Sequence, residues 1–216
     1  MNIEQARFNM IEQQIRPWDV LDKGVLGLLA IVRREDFVPA AYRSLAFVDT
    51  EVPLGDGEQM LAPRVEARLL QELQVQRHER VLEIGAGSGF MAALLGHRAQ
   101  SVITLEIKPA LARMATENLR RSGAANVSVV QADGALGYAA EGPFDAIMLS
   151  GSVSKVPADL LGQLKPGGRL VAVEGELPMM EAVRYTNGAT GVTRVALFDV
   201  NATRLVGFPE PSRFHF

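Results

Sequence analysis

The chain has 216 residues, with 22 Lys and Arg residues, 25 Asp and Glu residues, three His residues and no Cys. This length accommodates one α/β domain with added elements, and 48% hydrophobic with 22% charged residues is typical of a folded globular protein and excludes a disordered one. The missing cysteines exclude disulfides and thiol chemistry, and a net charge of −3, with no basic cluster larger than the pairs Arg33-Arg34 and Arg120-Arg121, argues against nucleic acid as a partner.

The composition also argues against a metal and a membrane. His78, His97 and His215 lie far apart in the sequence without the spacing of metal ligands, so we expect no bound metal. The first residues lack a basic stretch followed by an apolar run, and no apolar run approaches the ~18 residues of a membrane-spanning helix. These features predict a cytoplasmic protein with no membrane partner.

Helices are predicted at the beginning of the chain. Residues 2–16 place apolar side chains at near-helical spacing, and Pro17 is expected to end that helix. Asp19 or Asp22 is positioned to cap a second helix that continues through residues 25–31. A further short helical turn is expected at residues 40–46.

An extended segment follows these helices. Residues 49–63 contain Gly and Pro at short intervals, which predicts an irregular loop able to close over a pocket. Pro63 is well placed as the first residue of another helix, which continues to Leu73. Residues 1–63 are therefore interpreted as a helical and lid extension that precedes the main fold.

A glycine-rich turn is the most informative part of the chain. Residues 80–84 form a short apolar run typical of a buried parallel strand, and residues 90–97 have helical character. Between them, glycines permit a tight turn, and the helix N-terminus offers free N–H groups to a ligand. Glu106 ends the next strand, at residues 101–105, where an acidic side chain accepts hydrogen bonds from two ribose hydroxyls.

The turn predicts a nucleoside site, and the spacing of its glycines indicates which kind. Dinucleotide-binding folds use G-x-G-x-x-G, whereas this turn has G-x-G-x-G with Phe90 at the position of the last glycine, so a pyrophosphate is disfavoured. The expected cofactor contacts are Glu83, Gly85, Ala86, Gly87, Gly89, Glu106 and Ile107. Asp133 and Gly134, which follow the third predicted strand, are expected beside the base.

Alternation of strands and helices continues to the C-terminal region. A helix is predicted from Pro109 to Gly123, and the later strands lie at residues 126–131, 144–149 and 168–173. Two further strands, at residues 182–185 and 192–200, are expected to form a hairpin around a turn at residues 186–189.

This pattern predicts one α/β domain. The expected fold is a Rossmann-like, mostly parallel, doubly wound sheet with an antiparallel C-terminal hairpin at its edge and an N-terminal helical extension. Residues 64–175 would form the cofactor-binding core, and residues 176–216 the hairpin and tail.

The sequence resembles a known family over nearly its whole length. The glycine motif with its later acid is similar to motif I of the Rossmann-like S-adenosylmethionine-dependent methyltransferases. More specific stretches resemble the N-terminal signature of the protein-L-isoaspartate O-methyltransferases. These stretches are Phe37-Val38-Pro39, Ala46-Phe47-Val48-Asp49-Thr50, Val52-Pro53-Leu54-Gly55 and Ala62-Pro63.

The resemblance implies S-adenosylmethionine as cofactor, S-adenosylhomocysteine as product and damaged proteins or peptides containing isoaspartate as substrates. The family methylates the isoaspartyl carboxylate, which begins protein repair through a succinimide. Methyl transfer to an ionised carboxylate needs no general base, and no acid–base residue is assigned here.

The substrate motif departs from the family pattern. Where the family has Gly-Gln-Thr-Ile-Ser-x-Pro-His, this chain has Gly57-Glu58-Gln59-Met60-Leu61-Ala62-Pro63-Arg64. Gln59 and Leu61 replace the threonine and the serine, so Gln59, Leu61 and Arg64 become the candidate residues of the substrate loop. Arg64 has the geometry to grip a carboxylate, although an arginine in a first helical turn is also commonly just exposed.

Three functions stay open at this stage. The first is an isoaspartyl repair methyltransferase, and the second is a paralogue that binds S-adenosylmethionine but acts on another acceptor or lacks isoaspartyl activity. The third, a nicotinamide-dependent oxidoreductase, is disfavoured by the glycine spacing and by the missing hydride-transfer residues. The oligomeric state is not indicated by the sequence.

Overall fold

A computed structural model of the chain describes residues 2–210. The predicted C-terminal region covers residues 176–216. Its last six residues, 211–216, which include His215, lie outside the described part of the chain. The strands are β1 (Val52–Gly55), β2 (Glu58–Met60), β3 (Arg80–Ile84), β4 (Ser101–Glu106), β5 (Val127–Gln131), β6 (Phe144–Val153), β7 (Leu164–Glu176), β8 (Met179–Gly188) and β9 (Gly191–Asp199).

The larger sheet has seven strands in the order β5-β4-β3-β6-β7-β8-β9. The first five strands in this order, β5, β4, β3, β6 and β7, are parallel. The last two, β8 and β9, are antiparallel to their neighbours. The chain places β4 on one side of β3 and β6 on the other, so a crevice forms at the carboxyl end of β3, where ligands bind in open α/β sheets. The predicted fold class is confirmed.

Helices cover the two faces of this sheet unequally. They are α1 (Ile3–Asn9), α2 (Lys23–Ile31), α3 (Pro63–Leu73), α4 (Phe90–Arg98), α5 (Pro109–Ser122) and α6 (Ala158–Leu161). Alternating residues of β3 point to opposite faces: Val81 joins a core beneath α1 to α5, and Leu82 joins a second core with Leu160 and Phe208. The second core is closed by α6 and by loops.

Most predicted helix ends agree with the structure. The Asp22 side chain caps α2 by accepting hydrogen bonds from the N–H groups of Gly24 and Val25, at 2.7 and 3.1 Å. Pro63 begins α3, and Gly123 ends α5 in the left-handed conformation, with φ 75°.

The single helix predicted over residues 2–16 is wrong in form. After α1 the backbone widens into a π-helix at Met10–Ile15 and then tightens into a 3₁₀ turn at Arg16–Trp18. Pro17 lies inside that last turn, because a proline fits the first positions of a helical turn. Asp19, with φ 64°, ends the segment.

The loop predicted at residues 49–63 contains a hairpin instead. Strands β1 and β2 pair antiparallel around Gly55, Asp56 and Gly57, whose φ angles of 101°, 53° and 82° are all positive. Val52 pairs with Met60, and both side chains are buried. The apolar residues of this segment therefore form the buried side of a short two-stranded ribbon. We call residues 52–60 the lid hairpin.

The C-terminal turn lies further along than predicted. Asn187 pairs with Val192 and Gly188 with Gly191, which leaves Ala189 and Thr190 as the turn. Asn187 belongs to β8, and its side-chain amide donates hydrogen bonds to the carbonyls of Leu164 and Lys165, at 3.0 and 3.2 Å.

After β9 the chain returns to the carboxyl end of β6. Leu205 N–H donates to the Ser152 carbonyl at 2.9 Å, and Ser152 N–H donates to the Thr203 carbonyl at 2.8 Å. The Ser154 hydroxyl donates to the Pro209 carbonyl at 2.8 Å. We call residues 201–210 the C-terminal strap. None of the helices in residues 2–210 combines the length and apolar character needed to cross a membrane.

Candidate functional site

A cleft of about 510 Å³ lies at the carboxyl ends of β3 and β4, at the crevice described above. The sheet, the lid hairpin and the C-terminal strap all contribute to its wall, which includes Leu54, Glu58, Gln59, Ile84, Gly85, Gly87, Leu105, Glu106, Ile107, Gly134, Ser150, Leu205, Val206 and Phe208. The cleft therefore contains most of the residues expected to contact a nucleoside.

The glycine turn forms one side of the cleft. Gly85, Gly87 and Gly89 have φ angles of 91°, 52° and 85°, which residues with a Cβ rarely adopt. The N–H groups of Gly85 and Ala86 donate to the Leu105 carbonyl at 2.9 and 3.1 Å, so β4 holds the turn in place. A Cβ on Gly89 would lie 3.2 Å from the Ala115 backbone, so this glycine lets α4 approach α5 instead of touching a ligand.

Glu106 is buried at the floor of the cleft, with 5% of its surface exposed. One of its carboxylate oxygens accepts from Gly87 N–H and the other from Lys108 N–H, both at 2.9 Å. Since each carboxylate oxygen accepts two hydrogen bonds, each keeps one lone pair for a ligand hydroxyl. The side chain is thus fixed in the geometry expected of a ribose acceptor, and Ile107 lies beside it in the cleft wall.

Asp133 and Gly134 differ in their positions. Gly134 is buried and lines the cleft, whereas Asp133 is exposed and is not part of the wall. The Asp133 carboxylate accepts from Ala135 N–H at 2.9 Å, which stabilises its own turn. The structure therefore brings Gly134 to the site and gives Asp133 a role in the turn.

A second, smaller cavity of about 280 Å³ adjoins the cleft, and we call it the inner pocket. The two cavities share Leu54, Gln59, Gly85, Gly87 and Ser150. The rest of the inner pocket includes Met60, Leu61, Glu66, Glu83, Ala86, Ser88, Phe90 and Met91. The two cavities therefore form one continuous site, in which the inner pocket can hold one end of a ligand bound in the cleft.

Glu83 is the most deeply buried acid of the inner pocket, with no exposed surface. The Ser150 hydroxyl donates to Glu83 Oε1 at 2.6 Å, and Glu83 Oε2 has no hydrogen-bond partner. Burial raises the pKa of the Glu83 carboxyl to about 8, because a charge is poorly solvated there. A cationic donor from a ligand would satisfy the free oxygen and favour the ionised form.

The three residues predicted for the substrate loop are divided between sites. Gln59 is exposed and lines both cavities, and Leu61 is buried in the wall of the inner pocket. Arg64 lies elsewhere, in an open depression of about 1060 Å³. Its guanidinium pairs with Asp49 and lies 4.5 Å from the centre of the Trp18 ring. The structure thus gives Arg64 two partners and places it away from both cavities.

Sequence reasoning missed the contribution of the C-terminal strap to the site. Leu205, Val206 and Phe208 line the cleft, and Phe208 is 6% exposed. The strap has neither helical nor strand periodicity, so its position depends on pairing with β6. The one local signal was the presence of three large apolar side chains in a short polar stretch.

Lys108 connects the lid hairpin to the strand that carries Glu106. Its ammonium lies 2.6 Å from the Glu58 carboxylate and donates to the Asp56 carbonyl at 2.5 Å. Lys108, which follows Ile107 in the chain, thereby holds the lid hairpin over the cleft. Within residues 2–210, no group of three His, Cys, Asp or Glu side chains has the arrangement of a metal site.

Comparison with known proteins identifies consistent relatives. A family model described as protein-L-isoaspartate(D-aspartate) O-methyltransferase matches residues 5–199. Protein-L-isoaspartate O-methyltransferase 1 of Syntrophobacter fumaroxidans is 38% identical over 207 residues, which cover 96% of this chain and 97% of that protein. The Myxococcus xanthus protein-L-isoaspartate O-methyltransferase is 44% identical over 156 residues, 72% of this chain and 74% of that protein.

Solved structures share the fold. A protein-L-isoaspartate O-methyltransferase superposes with a TM-score of 0.79 and 23% identity, covering 93% of this chain and 66% of the other. A Plasmodium falciparum protein described as the same kind of enzyme, in complex with S-adenosyl-L-homocysteine, has a TM-score of 0.76 and 23% identity over 95% of this chain and 98% of the other.

Proposed function

Since this chain belongs to the protein-L-isoaspartate O-methyltransferase family, we propose that it methylates the carboxylate of an isoaspartyl residue in a damaged protein or peptide. The methyl group comes from S-adenosylmethionine, and the products are a methyl ester and S-adenosylhomocysteine. The observation that carries the proposal is the pair of buried carboxylates at the two ends of one site, Glu106 in the cleft and Glu83 in the inner pocket.

The two carboxylates fit the polar groups of S-adenosylmethionine. Glu106 has free lone pairs for the ribose hydroxyls, and the unpartnered Glu83 oxygen suits the α-ammonium group of the methionine part. Among the described residues of the cleft wall there is no Lys or Arg, whereas Glu58 and Glu106 are acidic. Such a wall disfavours the phosphates of a dinucleotide and accepts a nucleoside without phosphate.

Catalysis in this site depends on alignment and on the exclusion of water. S-adenosylmethionine, when bound, supplies an electrophilic methyl group on a sulfonium sulfur that leaves without needing a proton. An acceptor carboxylate is already ionised near neutral pH, so the protein supplies no base. The lid hairpin and the C-terminal strap cover the site, and Leu54 and Leu205 present apolar surface to it. They exclude water and limit the relative motion of the reactants.

The acceptor carboxylate needs a hydrogen-bond donor in place of the missing hydroxyls. We assign this role to the Gln59 side-chain amide, because Gln59 lines both cavities at their junction. The Leu61 side chain cannot donate, and the Arg64 side chain is engaged by Asp49 outside the site. The hydrogen bond would be charge-assisted, and bonds of this kind contribute about 1.5 to 3 kcal/mol.

The direct test of the function is methyl transfer from radiolabelled S-adenosylmethionine to an isoaspartyl peptide, with the aspartyl isomer as control. Label is expected in the isoaspartyl peptide alone, as an ester that is released by mild base. An absence of label in the isoaspartyl peptide, together with normal binding of S-adenosylhomocysteine, would refute the isoaspartyl function. That result would favour the paralogue with another acceptor. The apolar Leu61 side chain in the wall of the inner pocket is consistent with this alternative.

Gln59→Glu is expected to lower kcat/KM for the isoaspartyl peptide on the order of a hundredfold, because it removes the donor and sets a negative charge against the acceptor. Gln59→Ala removes only the donor and is expected to cost about tenfold. S-adenosylhomocysteine affinity, measured by calorimetry, serves as the control and should change little in either variant. If Gln59→Glu retains the parent's kcat/KM, the acceptor is held by other groups.

A further inference from the structure

Arg34 is a fully buried cation in the N-terminal extension, with 1% of its surface exposed. Its Nε donates to the Ala46 carbonyl at 3.1 Å, and its Nη2 donates to the Leu61 carbonyl at 2.7 Å. Its Nη1 forms an ion pair with Glu66. All three guanidinium nitrogens are therefore used by groups from three separate segments of the chain.

Two of these three contacts are with residues that line the inner pocket. Leu61 and Glu66 line it, and the Arg34 guanidinium lies 5.2 Å from the centre of the ring of Phe90, which also lines it. Phe90 directly follows Gly89 at the start of α4. One side chain thus connects the backbone of the substrate segment to the end of the glycine turn.

We propose that Arg34 is a positioning residue for methyl transfer, which fixes the segment from Gln59 to Leu61 relative to the glycine turn. The inference rests on the proposed function, because the group being positioned is the acceptor carboxylate held at Gln59. A planar guanidinium suits this task, since its donors lie at fixed angles and it stacks on an aromatic face. Displacement of an acceptor by 1 Å is enough to slow a reaction about a hundredfold.

Arg34 also affects the ionisation of Glu66 in the wall of the inner pocket. Burial raises the pKa of Glu66, and the Arg34 cation opposes that rise by stabilising the ionised form. With the ion pair intact, Arg34 compensates the charge of an ionised Glu66. Loss of Arg34 would raise the pKa of Glu66 further and favour its neutral form, whereas an ionised Glu66 raises the pKa of Glu83.

A merely structural role must be separated from a positioning role. Arg34→Met alone leaves Glu66 buried without its partner, which destabilises a protein whatever the function of the residue. The double variant Arg34→Met/Glu66→Leu removes both charges at similar volume, and such replacement of a buried ion pair is often neutral for stability. It also removes the donor of the Ala46 and Leu61 carbonyls, which frees the backbone of the substrate segment. Arg34→Lys provides a second variant, because lysine keeps the charge and loses the planar set of donors.

The chain contains a matched control pair. Arg7 is also buried, at 4% exposure, and pairs with the buried Glu35 in the same N-terminal extension. Neither residue lines the cleft or the inner pocket. Arg7→Met/Glu35→Leu therefore repeats the same chemical change without touching the substrate segment, and its kcat is expected to match that of the parent protein.

The experiment measures thermal stability, S-adenosylhomocysteine affinity, kcat and KM for the isoaspartyl peptide, and amide hydrogen exchange at residues 59–62. For Arg34→Met/Glu66→Leu and for Arg34→Lys, we expect a folded protein with cofactor affinity within about threefold, a kcat about a hundredfold lower and faster exchange at residues 59–62. Parent-like kcat and exchange in either folded variant would overturn the proposal.

The outcome also separates this inference from the proposed function. If the parent protein does not methylate the isoaspartyl peptide, the proposed function fails, and the exchange measurement still decides whether Arg34 fixes the substrate segment. Unchanged exchange in a folded variant then overturns the positioning role on its own. If the parent is active, kcat and exchange must change together for the positioning role to stand.

Discussion

Glu106→Ala is expected to weaken S-adenosylhomocysteine binding on the order of a thousandfold, because the ribose hydroxyls lose both oxygens of a buried carboxylate. Hydrogen bonds to a charged group contribute about 1.5 to 3 kcal/mol each, and two of them are lost together. Calorimetric titration measures the effect directly. The substitution also removes the carboxylate that accepts hydrogen bonds from the N–H groups of Gly87 and Lys108. The glycine turn therefore loses one of the hydrogen bonds that hold it in place.

Glu106→Gln is the matched variant. It keeps the size of the side chain and one acceptor oxygen, and it removes the charge, so we expect an intermediate loss of about tenfold to a hundredfold. Thermal denaturation of both variants shows whether the fold persists. A folded Glu106→Ala protein that binds S-adenosylhomocysteine as tightly as the parent would disprove the ribose assignment.

Gly85→Val is expected to abolish measurable S-adenosylhomocysteine binding. Gly85 has a φ of 91°, which a β-branched residue does not adopt without strain of about 1 to 3 kcal/mol. A Cβ at this position would also lie 2.7 Å from Leu205 Cδ2, so the Leu205 side chain of the C-terminal strap would have to move. Both effects disturb the wall that the cofactor is proposed to contact.

Gly27→Val serves as the control for Gly85→Val. Gly27 lies on the exposed side of α2, has no positive φ, and a Cβ added there meets no atom within 4 Å. Binding should therefore be unchanged in this variant. The double variant Gly85→Val/Leu205→Ala removes the clash and keeps the backbone strain; recovery of normal binding in it would show that the strap, and not the turn, limits the site.

The part of the site that could be predicted is the part encoded by local sequence. A strand, a tight turn with glycines at positive φ, a helix and an acid at the end of the next strand follow one another along the chain, and their spacing fixes their relative positions. The structure accordingly brings Gly85, Gly87, Glu106 and Gly134 to one cleft. Glu83 lies beneath the same turn, in the inner pocket.

Contacts between distant segments could not be read from the sequence. Arg64 is fixed by Trp18 and Asp49, which precede it by 46 and 15 residues, and no local pattern indicates that choice of partners. For the same reason the buried ion pair of Arg34 with Glu66 went undetected: a charged residue beside other charged residues is typical of an exposed surface. Tertiary pairing, and not residue type, decides these positions.

The C-terminal strap also determines when the site can first exist during protein synthesis. Leu205 is made 120 residues after Gly85, against which its side chain packs in the cleft wall. At ~5 to 20 residues per second, a ribosome needs on the order of ten seconds for that interval. During this time the nascent chain lacks the strap residues that complete the cleft. The complete wall of the cleft can therefore form only near the end of synthesis, after most of the sheet has been made.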